Sequence, residues 1–174
     1  MGLIHIYTGN GKGKTTAAIG LGIRAYGRGF KVLLVQFLKS ADTGEIHTLK
    51  MLEPGFLIHR GTEIRKFTWN MNDDEKLRAV EIQQGIFKYA VEAAASGAWD
   101  MVIMDEILGA LNTGMLDLKE VVQFVKGKPE NIELILTGRN APAELKELAD
   151  YVSEINAVKH PMEKGIAARR GIEN

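Results

Sequence analysis

Near the start of the chain, Gly9-Asn10-Gly11-Lys12-Gly13-Lys14-Thr15-Thr16 gathers glycines, lysines and hydroxyls into one short run. That combination suits a polyphosphate, whose charge is costly to strip of water without inward-pointing N–H groups, a helix N-terminus and a cation. Gly9, Gly11 and Gly13 permit close backbone approach, Lys14 is placed for phosphate oxygens, and the Thr15 hydroxyl is placed for Mg²⁺. The nucleotide expected is ATP. The usual spacing puts a glycine where Thr8 stands, so this loop opens with Thr-Gly. The competing reading is a glycine-rich turn with surface lysines, but the flanking pattern of strand before and helix after is the one a phosphate loop requires.

Further along, the apolar run Met101-Val102-Ile103-Met104 ends in Asp105-Glu106. A carboxylate at the carboxyl end of a neighbouring strand can hold Mg²⁺ directly or through water, and either residue could serve. Alternatively, Asp105 caps a helix and Glu106 is solvated. A glutamate after the aspartate is also what a hydrolase uses to orient water. Thr137-Gly138-Arg139 follows the next apolar strand and would bring Arg139 to the same edge, as a phosphate or substrate contact or as a surface turn residue.

The elements that must position these groups alternate. Leu3 to Tyr7 reads as a strand and Lys14 to Arg28 as a helix, closed by Gly27 and Gly29. Lys31 to Phe37 is a nearly continuous apolar strand of the kind buried on both faces. A short helix is predicted over Glu45 to Leu52 and a small apolar run over Phe56 to His59. Asp73-Asp74 supplies cap chemistry for a long helix to about Ala95, ended by Gly97. After the Met101 strand come a helix over Leu116 to Val125, a strand over Ile132 to Leu136, a helix over Pro142 to Ala149 and an extended segment over Tyr151 to Val158. The pattern predicts an α/β fold: a doubly wound, mostly parallel sheet with helices on both faces, like a P-loop NTPase. Residues 1–174 read as one domain, with a C-terminal tail over 159–174.

Composition narrows the class. Lys plus Arg and Asp plus Glu each number 22, so no global field favours nucleic acid or an anionic membrane. Binding must be local. The chain has no cysteine, which excludes disulfides, thiolate metal sites and cysteine nucleophiles. Neither a signal peptide nor a membrane span is legible, and a cytoplasmic location is expected.

Thr8 to Ala18, Val35-Gln36-Phe37-Leu38-Lys39, Phe67-Thr68-Trp69, Asp105-Glu106, Leu136-Thr137-Gly138-Arg139 and the closing Gly165 to Glu173 together resemble the P-loop ATP:corrinoid adenosyltransferases. The resemblance covers nearly the whole chain. It implies that a reduced corrinoid attacks the ribose 5′ carbon of ATP, that triphosphate leaves, and that Lys14, Mg²⁺ and the loop N–H groups stabilise the leaving charge. It also implies a corrinoid-binding loop around 60–72, where Phe67 and Trp69 lie beneath the ring and displace a polar axial ligand so that Co(II) is easier to reduce. A reductase or other electron donor, and a homodimer, are further partners the resemblance admits. Arg24, on the helix after the loop, is a candidate nucleotide contact or a solvated helix arginine. Two features depart from the family pattern: the first strand begins two residues into the chain, where members often carry a segment covering a partner's site, and Arg65-Lys66 is more basic and less glycine-rich.

Two rivals remain. A generic P-loop ATPase or small-molecule kinase would yield ADP. A non-catalytic ATP-dependent binding module would bind ATP without turnover.

Overall fold

The computed structural model describes residues 1–39, 41–61 and 71–172. Among the described residues, six strands form one sheet: β1 (Ile4–Thr8), β2 (Val32–Gln36), β3 (Phe56–Arg60), β4 (Met101–Asp105), β5 (Glu133–Thr137) and β6 (Tyr151–Glu154). Their order is β3-β2-β4-β5-β1-β6, and every pairing is parallel. The helices are α1 (Lys14–Tyr26), α2 (Gly44–Lys50), α3 (Asp73–Ala95), α4 (Ile107–Asn112), α5 (Leu118–Gly127) and α6 (Ala143–Leu148). The sheet is therefore wholly parallel and doubly wound.

Alternation along the strands divides the core in two. Val32 and Leu34 of β2 face the layer that contains Ala18 and Ile19 of α1 and Leu49 of α2. Leu33 and Val35 face the opposite layer, built from α3, α4, α5 and α6. Because both faces are covered, β2 reads as a continuous apolar run rather than an alternating one. On α3 the buried positions Ala79, Gln83, Ile86, Phe87, Ala90 and Ala94 follow the helical period and make one face.

Several boundaries differ from expectation for local reasons. The cap of α3 is Asn72, not the Asp73-Asp74 pair: Asn72 Oδ1 accepts the Glu75 N–H at 2.8 Å and Glu75 Oε2 accepts the Asn72 N–H at 3.0 Å. That reciprocal box satisfies two N–H groups at once. Helix α5 starts at Leu118 because Asp117 caps it, accepting the Lys119 N–H at 2.6 Å. The last extended segment stops being strand at Glu154. Two elements were not legible: α4, and a 3-10 turn over Pro161–Lys164. Among the described residues, no helix is long and apolar enough to cross a membrane.

Parallel pairing puts all strand carboxyl ends along one edge. Gln36 pairs in register with both Asp105 and Arg60, and Tyr7 with Thr137. The chemistry-bearing residues gather at that edge.

Candidate active site

The glycine loop is fastened before it reaches any ligand. Thr8 is buried, and its hydroxyl accepts the Ala141 N–H at 3.3 Å, so the residue that replaces the usual glycine has a packing role. The Gly11 N–H donates to the Ile155 carbonyl at 2.7 Å, and Asn10 Oδ1 accepts the Ala157 N–H at 3.0 Å. Those bonds take the chain out of β6 and lay it under the loop. The Asn10 side-chain oxygen is thus committed to that anchor. Gly9 and Gly13 adopt φ of 105° and 120°, a region where a side chain would be strained. Helix α1 begins after Gly13 with no side-chain cap and no acidic residue in its first turn. Its leading N–H groups can therefore receive an anion. Lys14 curls back over the loop, its Nζ donating to the Gly11 carbonyl at 2.8 Å. Burial is the main cause holding its pKa below the ordinary lysine value.

Asp105 closes β4 with a wholly buried side chain. Its Oδ1 accepts from the Thr15 hydroxyl at 2.8 Å and from the Thr137 hydroxyl at 2.7 Å. Its Oδ2 accepts from Lys39 Nζ at 2.6 Å and from Gln36 Nε2 at 3.1 Å. Lys39 Nζ also donates to Thr15 Oγ1 at 2.9 Å. Burial alone would raise the carboxyl pKa. The Lys39 ammonium beside it, with hydrogen bonds from Lys39, Thr137 and Thr15, instead holds it below the usual carboxylate range.

Sequence reasoning did not single out Lys39, Gln36 or Thr137 as site residues. Lys39 arrives through an unusual turn. The Phe37 N–H donates to the Asp105 carbonyl at 2.9 Å, Leu38 turns left-handed at φ 56°, and the Leu38 N–H donates to Gln83 Oε1 at 3.1 Å. The available signal was an otherwise apolar strand ending in Gln36, with Lys39 three residues further on at the sheet's carboxyl edge.

Glu106 is distinct from Asp105. It sits at φ 65°, and its N–H donates to the Thr137 hydroxyl at 2.9 Å. Its carboxyl lies back over α4, one oxygen 2.8 Å from where a Cβ on Gly109 would stand. Burial, and then the neighbouring Asp105, push its pKa up, against the opposing charges of Lys39, Lys14 and Arg139. Arg139 is exposed at the same edge, its carbonyl accepting from Asn112 Nδ2 at 2.7 Å. Lys12 and Thr16 lie exposed on the loop and the first turn of α1. Arg24 is not brought to the loop: ten residues beyond Lys14, it stands about 15 Å up the helix, since each residue rises ~1.5 Å. It is exposed, and its charge bears on Tyr7. Phe67 and Trp69, with Arg65 and Lys66, lie outside the described residues.

The oxygens of Thr15 and Asp105 fit a small hard cation such as Mg²⁺, which prefers oxygen donors and keeps several waters or phosphate oxygens. They already converge on one positively charged group, the Lys39 ammonium. Among the described residues, no group of three or more His, Cys, Asp or Glu side chains gathers to hold a metal. The remaining positions would fall to phosphate and water.

A strand, a glycine loop, an uncapped helix start and a carboxylate on a neighbouring strand end define a nucleotide-binding protein of the P-loop class. A family model described as "ATP:corrinoid adenosyltransferase BtuR/CobO/CobP" matches residues 1–174. The chain belongs to that family. It is 38% identical over 177 residues to the corrinoid adenosyltransferase of Escherichia coli (strain K12), covering 99% of this chain and 85% of the relative. The corrinoid adenosyltransferase of Sinorhizobium sp is 38% identical over 174 residues, covering 99% and 80%. Corrinoid adenosyltransferase CobA of Salmonella typhimurium is 36% identical over 177 residues, covering 99% and 85%.

Proposed function

We propose that this chain transfers the 5′-deoxyadenosyl group of ATP to the cobalt of a reduced corrinoid and releases triphosphate. The observation that carries the reading is the convergence of Thr15, Asp105 and Lys39 beside the uncapped start of α1, in a chain of this family. A departing triphosphate needs positive charge and fixed donors where its charge develops; the leading N–H groups of α1 and the Lys14 ammonium would supply them, with Mg²⁺ held by Thr15 and Asp105 beside them.

The electron pair on cobalt forms the bond to the 5′ carbon. The carbon–oxygen bond to the triphosphate breaks, and its pair leaves on that oxygen. No proton leaves the nucleophile, so the reaction calls for no general base. Lys14 and the N–H groups of the loop bind the phosphates, and Arg139 reaches them from the β5 edge. Thr15 and Asp105 would hold Mg²⁺, which supplies added positive charge to the triphosphate when bound. Phe67 and Trp69 act beneath the corrin ring and exclude a polar axial ligand, so that an external reductase or other donor can deliver the electron.

The test is to supply ATP, Mg²⁺ and chemically reduced cobalamin and to analyse the phosphates. Triphosphate is expected in step with corrinoid consumed. ADP as the product would establish the ATPase or kinase reading, and ATP binding with no turnover the binding module.

A further inference from the structure

The ammonium of Lys39 stands on the same atoms that the proposed metal site requires. Its Nζ is 2.6 Å from Asp105 Oδ2 and 2.9 Å from Thr15 Oγ1. The Thr15 hydroxyl spends its proton on Asp105 Oδ1, so it is the oxygen's lone pairs that face Lys39. A metal ion taking Thr15 would need those lone pairs. An ammonium offers three donors and no acceptor, and it repels any second cation at this range strongly.

We infer that Lys39 is a built-in counter-ion that holds the cation position between Thr15 and Asp105 in the nucleotide-free protein, yields it to Mg²⁺ as ATP binds, and moves its ammonium onto the triphosphate. The inference rests on the metal–ATP reading of this site and is independent of the corrinoid.

The surroundings are built for such an exchange. The Lys39 side chain is 29% exposed while the Asp105 side chain is 0% exposed, so the head can withdraw toward the rim and the carboxylate cannot follow. The backbone beneath Lys39 is pinned by the left-handed Leu38 and its bond to the buried Gln83. The four-carbon stem is then the moving part. Lys39 is also within electrostatic range of Lys14 and Glu106, which flank the phosphate cradle. Without Lys39, the nucleotide-free protein would bury a carboxylate with no opposite charge, an arrangement that is strongly destabilising.

The experiment uses the full chain with Lys39→Met and Lys39→Gln, which remove the charge, and Lys39→Arg, which keeps it. Mn²⁺ serves as the spectroscopic substitute for Mg²⁺. Bound Mn²⁺ is read by electron paramagnetic resonance with and without ATP, and melting temperature is read with and without metal. Without ATP the ammonium has no triphosphate to move to, and a hydrogen bond to a charged group corresponds to about tenfold or more in an equilibrium constant, so both neutral variants should then half-saturate at about tenfold less Mn²⁺ than wild type. With ATP the gap should shrink, because the variants also lack the ammonium on the triphosphate. Their ligand-free melting temperatures should fall, and the gain on adding metal alone should exceed that of wild type. Lys39→Arg should stay near wild type throughout. Neutral variants that, without ATP, need as much Mn²⁺ as wild type, or more, overturn the exchange. Failure of the wild type itself to take up Mn²⁺ with ATP would instead remove the metal–ATP reading beneath it.

Discussion

Replacing Asp105 by Asn tests whether this residue is the electrostatic centre of the site. The wild-type carboxylate accepts from Thr15, Thr137, Lys39 and Gln36. The asparagine keeps one acceptor oxygen, which satisfies the two threonines, while its new NH₂ faces Lys39 and Gln36. Gln36 can adapt, because its Oε1 is buried with no partner in the wild type and a turned amide would present it to that NH₂. Lys39 cannot adapt in place, and its bond to the carboxylate is lost. A hydrogen bond between charged groups contributes about 1.5–3 kcal/mol, and a partly exposed ammonium regains some hydration, so the loss should be about 2 kcal/mol. For a chain of this size that is about 4–8 °C in melting temperature. Because the folded pKa of Asp105 lies below its unfolded value, this contribution is complete at neutral pH and disappears as pH falls through the folded value. Removing the charge should also weaken metal-dependent ATP binding by about 10- to 100-fold, the range seen when metal-site partners are changed. Calorimetric ATP titrations with and without Mg²⁺, paired with thermal melts at neutral and acid pH, measure both effects. An unchanged melting temperature together with unchanged Mg²⁺ dependence would refute the assignment.

Glu106→Gln should act in the opposite sense on stability. The folded pKa of Glu106 is raised, so ionising it penalises the folded state increasingly as pH rises past its unfolded value. The variant should melt above wild type at neutral pH, and the gap should close as pH falls, a comparison that thermal melts across pH will check. Gly138→Ala meets a φ of 139° and places a Cβ 2.7 Å from that of Leu108, so a loss of about 1–3 kcal/mol is expected in denaturant unfolding. Trp69→Ala should leave ATP affinity nearly intact and slow adenosylation that starts from Co(II), with much of the rate recovered when Co(I) is supplied. Equal losses in ATP affinity, stability and both rates would mean an ordinary core aromatic.

What could be read from sequence was chemistry carried by contiguous residues. The phosphate loop needs Gly9, Gly11, Gly13, Lys14 and Thr15 close together in the chain, and its strand and helix lie directly on either side. The alternation of apolar runs likewise revealed the parallel, doubly wound sheet, since buried strands such as Val32 to Gln36 show no polar face. The site's second half depends on contacts made by folding. Lys39 reaches Asp105 only because β2 and β4 pair in register and Leu38 turns left-handed against Gln83 on α3. No local pattern announces that turn. The anchor that the Asn10 side-chain oxygen provides within the motif is equally invisible, because its partner Ala157 lies far along the chain. Asp105 and Glu106 are equivalent on paper, and a left-handed residue followed by α4 sends their carboxyls to different surroundings.

The most direct measurement follows both ends of the nucleotide at once. ATP carrying one isotope in its ribose 5′ carbon and another in its γ-phosphate is incubated with the protein, Mg²⁺ and chemically reduced cobalamin. Adenosyl transfer predicts that the carbon label appears bonded to cobalt in light-sensitive form, while the phosphorus label stays in intact triphosphate in equal amount. Release of the γ label as inorganic phosphate, with the carbon label remaining in ADP, would contradict the account.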